Sequence, residues 1–130
     1  MKRLTLLLLL LLFLPVGADE REFTLESGVV MKQYYLLLYV RGENAQDFDE
    51  EELKNIQAGH LAHIGRMTEE GVVVIAGPFG DDTEKRGILI FDVPTLEEVE
   101  DWIRQDPAVK AGRLDYEIHP WWGAKGASLK

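Results

Sequence analysis

A chain of 130 residues is long enough for one ordinary domain and too short for two. With 23 acidic residues against 14 basic and a formal charge of −9, its surface repels phosphate backbones and anionic membranes, so nucleic acid and lipid head groups are excluded as natural partners. It contains no cysteine, which removes disulfide frameworks and dithiol chemistry and leaves the core alone to hold the fold.

The first eighteen residues, "MKRLTLLLLLLLFLPVGA", have a basic start at Lys2 and Arg3, an apolar run through Leu14, a break at Pro15, and small residues at Gly17 and Ala18. That is the grammar of a secretory signal peptide, with cleavage expected between Ala18 and Asp19. The apolar run is shorter than the roughly 20 residues a spanning helix needs, so export to the periplasm or beyond is expected rather than a stable membrane anchor. Cleavage would leave 12 basic residues against 23 acidic, a formal charge of −11.

Residues 19–30 mix charges with a few apolar side chains and read as an amino-terminal arm, with room for a short strand at Phe23 to Leu25. "QYYLLLYV", Gln33 to Val40, is apolar on both faces and reads as a central strand covered on both sides. From Asp49 to Glu70 the period becomes helical. Acidic residues 49–52 suit the positive end of the helix dipole, Leu53, Ile56, Ile64 and Met67 mark the apolar stripe, and Gly71 supplies the stop. His60 falls inside that stripe, about 20° from Leu53 at 3.6 residues per turn, while His63 falls toward its edge.

Val72 to Ala76 is an apolar run of strand length, ended by Gly77-Pro78, and the loop "FGDDTEKR" leads into a second buried strand, "GILIFDV". A capping box, Thr95 with Glu98, opens a second helix whose apolar face is Leu96, Val99, Trp102 and Ile103. "DPAVKAG" reads as a turn or short helix. "RLDYEIHP" then alternates strictly, as a strand with one polar face does.

The order strand, helix, strand, strand, helix, strand predicts an α+β domain over residues 31–123: a ferredoxin-like βαββαβ sandwich, its four-stranded antiparallel sheet backed by two helices on one face, with a short tail at 124–130. The apolar second face of the first strand requires cover. A second copy, sheet against sheet, is the expected one, making a homodimer.

Three readings of His60 stand side by side: a hydrogen-bonded core residue, a metal ligand, and a catalytic base. Burying an imidazole where leucine would fit costs roughly 1–3 kcal/mol without partners, a cost more readily tolerated where the group has a task. His60 and His63 form an H-x-x-H pair, but a metal site needs a further ligand, which falls to His119 or a carboxylate, and none stands at a characteristic spacing. No metal and no cofactor are expected. Asp106 reads first as an N-cap, with Pro107 at the first helical position. Alternatively its carboxylate orients an imidazole, though spacing alone does not pair it with His60. Gly77 and Pro78 read as a tight turn or as part of a binding site. Phe79, Trp121 and Trp122 are either pocket walls or edge packing. No phosphate loop or nucleophile elbow occurs.

The combination "HLAHI…EEGVVVIAGP…GILIFDV…LEEVEDWIRQDPAVKAG…YEIHPW", from Tyr34 to about Trp122, resembles the YciI family of YCII-related proteins. The resemblance implies a ferredoxin-like fold that pairs into dimeric α/β barrels. It also marks His60 and Asp106 as the residues of an enzymatic site. The usual D-P-Y reads Asp106-Pro107-Ala108 here, which removes an aromatic wall from the usual pocket, and the signal peptide departs from the bare cytoplasmic form.

The expected function is a cofactor-independent enzyme acting on a small organic molecule, with His60 as general base and Asp106 orienting it. Lyase-like elimination, including dehydrochlorination, and isomerisation both fit that equipment. His63, Gly77, Pro78 and Phe79 are the expected substrate contacts. The alternative is a non-catalytic periplasmic module that binds a small ligand or a protein through the same cleft.

Overall fold

Helix α1, Glu50–Glu69, starts at a complete capping box. The Asp49 carboxylate accepts from the Glu52 N–H at 2.8 Å, and the Glu52 carboxylate accepts from the Asp49 N–H at 2.9 Å. It ends where Gly71 takes φ +73°, a conformation glycine adopts freely, so that the Val72 N–H reaches back to the Met67 carbonyl at 2.9 Å. The computed structural model to which this helix belongs describes residues 20–130, and the expected signal segment lies outside the described residues.

The other elements are β1 (Glu22–Thr24), β2 (Val30–Arg41), β3 (Val73–Pro78), β4 (Lys85–Phe91), α2 (Leu96–Ile103), α3 (Pro107–Lys110) and β5 (Leu114–Ala124). All strand pairs are antiparallel. β5 runs along one edge of β2, while β4 and the short β1 share its other edge, and β3 lies outside β4. The four long strands therefore stand in the order β5-β2-β4-β3, with helices between β2 and β3 and between β4 and β5. This is the ferredoxin-like α+β arrangement.

Register decides which side chains meet. Tyr35, Leu37 and Tyr39 lie opposite Phe91, Leu89 and Gly87 on one side, and opposite Pro120, Ile118 and Tyr116 on the other. Their common face packs on Met67 of α1 and on Val99 and Ile103 of α2, and this is the core. The alternate residues Leu36 and Leu38 lie opposite Ile90 and Ile88 on the face without helices and are only half-buried.

Several boundaries differ from the sequence reading, among them that of β4, which starts at Lys85 inside the expected loop. Gly77 and Pro78 continue β3, paired with Ile88 and Gly87, rather than ending it in a turn. Proline is tolerated there because β3 is an edge strand, whose outer side needs no N–H donor. β5 also runs four residues past Pro120, because β2 itself begins at Val30 and gives the extra residues a partner.

Candidate active site

Three segments far apart in sequence bring Tyr39, His60 and Asp106 together at one end of the core. Tyr39 comes from the helix-facing side of β2, His60 from the buried side of α1, and Asp106 from the N-cap of α3. Asp106 does cap that helix: its Oδ1 accepts from the Ala108 N–H at 2.9 Å. It also does more. Its Oδ2 accepts from the Tyr39 hydroxyl at 2.7 Å and lies 2.8 Å from His60 Nδ1, which is 3.0 Å from Oδ1.

Asp106 is 0% exposed, and burial alone would raise its pKa. Hydrogen bonds from His60 and Tyr39, the charge of His60 and the Ala108 N–H outweigh burial and hold the carboxyl below its ordinary 3.8. An ionised carboxylate can only accept, so Nδ1 of His60 carries the hydrogen. The Tyr39 phenol is pushed far above its ordinary 10 by burial, by the Asp106 charge and by their hydrogen bond, which fixes it as a donor. Its ring meets the imidazole edge to face at 5.3 Å and 71°.

Nε2 of His60 is left with no partner among the described residues. Among the described residues no fully buried side-chain nitrogen or oxygen lacks a hydrogen bond, so Nε2 is reached from outside. The opening is a cleft of about 240 Å³ that His60 lines. Its walls are mostly apolar: Leu61 and Ile64 from α1, Ala76, Gly77 and Pro78 from β3, and Leu114 at the start of β5. Besides His60, its polar members are Tyr39, Gln57 and Arg86. A base with one nitrogen fixed and the other facing a small apolar cleft is equipped to accept a proton.

Gly59, one residue before His60, sets how closely α1 approaches the Asp106 segment. A Cβ there would stand 2.9 Å from Cγ of Pro107, the residue that follows Asp106. The missing methyl lets the two helices close until the imidazole and the carboxylate touch.

The other sequence candidates lie elsewhere. His63 is buried rather than at a half-exposed edge, because the C-terminal end of α2 covers it. Its Nε2–H donates to the Trp102 carbonyl at 2.8 Å, and its Nδ1 accepts from Arg66 at 3.2 Å. It lines a second, shallower groove of about 450 Å³ with Arg66 and Lys110, on the other side of α1 from the His60 cleft. Phe79 is 41% exposed, next to the cleft residue Pro78 but outside the lining. Trp121 packs against Tyr34 and Trp122 against Phe23. His119 is exposed on β5, 3.5 Å from Glu117. Among the described residues, no three His, Cys, Asp or Glu side chains converge as a metal site would require.

Tyr39 and Arg86 did not stand out in the sequence. Tyr39 carried only the signal of a strand aromatic. Arg86 had a better one, the neighbouring Gly87 inside a strand pattern, a usual mark of a bulge or a close backbone approach. A Cβ at Gly87 would meet the Gly77 carbonyl oxygen at 2.8 Å.

Among solved structures the chain is similar to 5-chloro-2-hydroxyhydroquinone dehydrochlorinase from Burkholderia phenoliruptrix AC1100, in complex with 2,5-dihydroxybenzoquinone. The two are 22% identical, with 67% of this chain and 92% of that chain covered and a TM-score of 0.49. A search of curated proteins finds no match. The family model for the YCII-related domain matches residues 33–122, a span that takes in Tyr39, His60, Asp106 and every wall of the cleft, and the chain belongs to that family.

Proposed function

We propose that the protein is a cofactor-independent enzyme in which His60 is the general base and Asp106 orients it. The observation that carries this reading is the 2.8 Å contact from Asp106 to Nδ1, which leaves Nε2 free on a residue that lines the cleft. Nε2 takes a proton from a carbon next to a carbonyl, or from a phenolic hydroxyl, and the released electron pair becomes an enolate or phenolate. The imidazolium then has both nitrogens protonated beside the Asp106 carboxylate, which stabilises it. From the enolate, elimination expels a leaving group such as halide from the adjacent carbon. Isomerisation instead returns the proton from Nε2–H to a different carbon. Gly77 and Pro78 form the wall against which the substrate lies.

The same reading includes export after cleavage of residues 1–18 and pairing of two copies through the face that carries Leu36 and Leu38. A charge on that face, as in Leu36→Glu, is expected to turn a sedimenting dimer into monomer. If the wild-type chain already sediments as a monomer, the pairing is wrong.

The base is tested by proton exchange, because exchange needs no knowledge of the later steps. In deuterated buffer, a panel of small enolisable ketones, keto acids and substituted phenols is followed by NMR with the wild-type protein and with His60→Gln. Catalysed exchange or turnover is expected for part of the panel and is expected to fall by about 10²–10⁴ in the variant, the usual contribution of general base catalysis. Activity retained in His60→Gln would end the proposal.

A further inference from the structure

The cleft in front of His60 contains one feature that proton abstraction does not use. Along β4, Gly87 lies opposite Tyr39 and Lys85 opposite Val40, so Arg86 is the extra residue of a β-bulge and has no partner across the strand pair. Bulges re-aim side chains, and this one places Arg86 among the residues that line the cleft. Among the described residues Arg86 is the only formally charged side chain there, histidine aside, in a chain whose net charge is −9.

The guanidinium is already half anchored. Nη1 donates to the Asp82 carboxylate at 3.0 Å and to the Thr83 carbonyl at 2.9 Å. Both bonds use the same nitrogen, which leaves the donors of Nη2 and Nε for something else. Asp82 does not neutralise the group fully, because the same oxygen also takes Arg41 at 2.6 Å and the Asp82 side chain is 86% exposed to screening solvent. A planar fork held at one end, on a residue that lines an apolar cleft, suits a carboxylate.

We propose that Arg86 anchors the substrate through a carboxylate, so that the molecule presented to His60 is a small apolar acid of single-ring or short-chain size. This rests on the reading of the cleft as the substrate site and adds what it selects. The cleft volume, about 240 Å³, lies below the roughly 300–1,000 Å³ of pockets for drug-sized ligands, which limits the apolar part to about one ring. The acid sits with its carboxylate on Arg86, its body against Leu61 and Pro78, and its acidic hydrogen toward Nε2.

The test is a binding comparison that needs no turnover. Titrations of 4-hydroxybenzoate and 4-hydroxybenzamide are followed by amide chemical shifts of the wild-type protein, Arg86→Gln, Asp82→Asn and His60→Gln. The wild type is expected to bind the acid at least about tenfold more tightly than the amide, the scale of one charge-assisted hydrogen bond, with shifts centred on Gly77 and Gly87. Arg86→Gln is expected to abolish the preference. Asp82→Asn, which removes the competing carboxylate and keeps Arg86, is expected to increase it, and this second variant decides the matter if Arg86→Gln folds poorly. Equal binding of acid and amide by the wild type, absence of shifts at the cleft with both probes, or a preference that survives Arg86→Gln each overturns the anchor. Preference that disappears in His60→Gln but not in Arg86→Gln does so as well, by assigning the anion to the imidazole. Preference retained in His60→Gln supports the anchor whether or not His60 proves to be a base.

Discussion

Replacing Asp106 by asparagine or by alanine separates what its shape does from what its charge does. Asparagine keeps the side-chain oxygen that accepts from the Ala108 N–H, and so keeps the cap. Where Oδ2 stood, it places an NH₂ that can only donate. At the shorter of its two contacts His60 Nδ1 then faces a donor, and accepting from it moves the imidazole hydrogen to Nε2, while the Tyr39 hydroxyl loses its acceptor. One buried donor without a partner costs about 1–3 kcal/mol. Alanine leaves three donors, from Tyr39, His60 and Ala108, without an acceptor. Water entering the vacated space limits the loss to about 3–5 kcal/mol, the range for breaking a buried pair. Set against a total stability of about 5–15 kcal/mol, the first variant remains folded and the second is severely weakened. Long-range ¹H–¹⁵N NMR reads the tautomer directly, and urea unfolding reads the stabilities. The expected result is an Nδ1–H imidazole in the wild type and an Nε2–H imidazole in Asp106→Asn, with turnover lowered by about 10⁴, as for other wrong-tautomer histidines. An unchanged tautomer in a folded Asp106→Asn protein would refute the orientation argument, whatever happened to activity.

Three further outcomes follow from the same contacts. Because the Asp106 carboxyl is held below its ordinary 3.8, the unfolded chain binds that proton more readily than the folded one. Its contribution to stability is present above about pH 4 and is lost as pH falls through the lowered native value, so urea midpoints should fall less steeply in acid for Asp106→Asn than for the wild type; equal slopes would count against it. Tyr39→Phe removes one of three donors to Asp106, and a cost of about 1.5–3 kcal/mol with an acid transition shifted to higher pH is expected, measured by the same denaturation series. Gly59→Ala and Gly65→Ala lie on the same helix but should differ in sign. Nothing lies within 4 Å of a Cβ at Gly65, so alanine there should stabilise by about 0.4–1 kcal/mol. At Gly59 the 2.9 Å approach to Pro107 should turn that gain into a loss of about 1–2 kcal/mol and disturb the His60–Asp106 contact, which thermal melts and the tautomer signal would reveal.

The sequence carried the frame of the molecule because the frame is written in local chemistry. The cap at Thr95, the stop at Gly71 and the alternation along "RLDYEIHP" each act over a few positions and appear where expected. Thr95, however, accepts from the Glu98 N–H without the reciprocal half of a capping box. The complete box stands at Asp49, which reads in the sequence only as an acid at the helix start. The interruption of the α1 stripe at His60 was equally local. Asp106 reads as a cap or as a carboxylate that orients an imidazole, but which imidazole depends on a partner 46 residues away. Spacing holds no trace of that contact, and family resemblance supplied it. Tyr39 was hidden for a related reason: its ring behaves as any strand aromatic, and only the strand register shows that its hydroxyl reaches Asp106. Helical spacing puts His63 at an edge, about 60° from His60, because it takes the helix as packed against a single surface. The end of α2 widens the buried face by that much.

The arrangement of the three polar side chains bears on why they are there at all. An N-cap needs an oxygen, and serine or asparagine would supply it without bringing a charge inside. A helix stripe needs an apolar side chain at position 60, and a strand facing the core is well served at position 39 by phenylalanine. Each position taken alone has a less costly solution, and replacing buried ionic groups by well-packed apolar ones is often neutral or stabilising. The three polar choices make sense only jointly: Tyr39 and the Ala108 N–H keep Asp106 ionised, Asp106 keeps the hydrogen of His60 on Nδ1, and Nε2 is thereby free. The free atom is solvent-reached and belongs to a residue that lines the cleft, in a chain with no disulfide to offset the loss of core. A packing account would leave the direction of that free nitrogen to chance, whereas a proton-accepting account requires it.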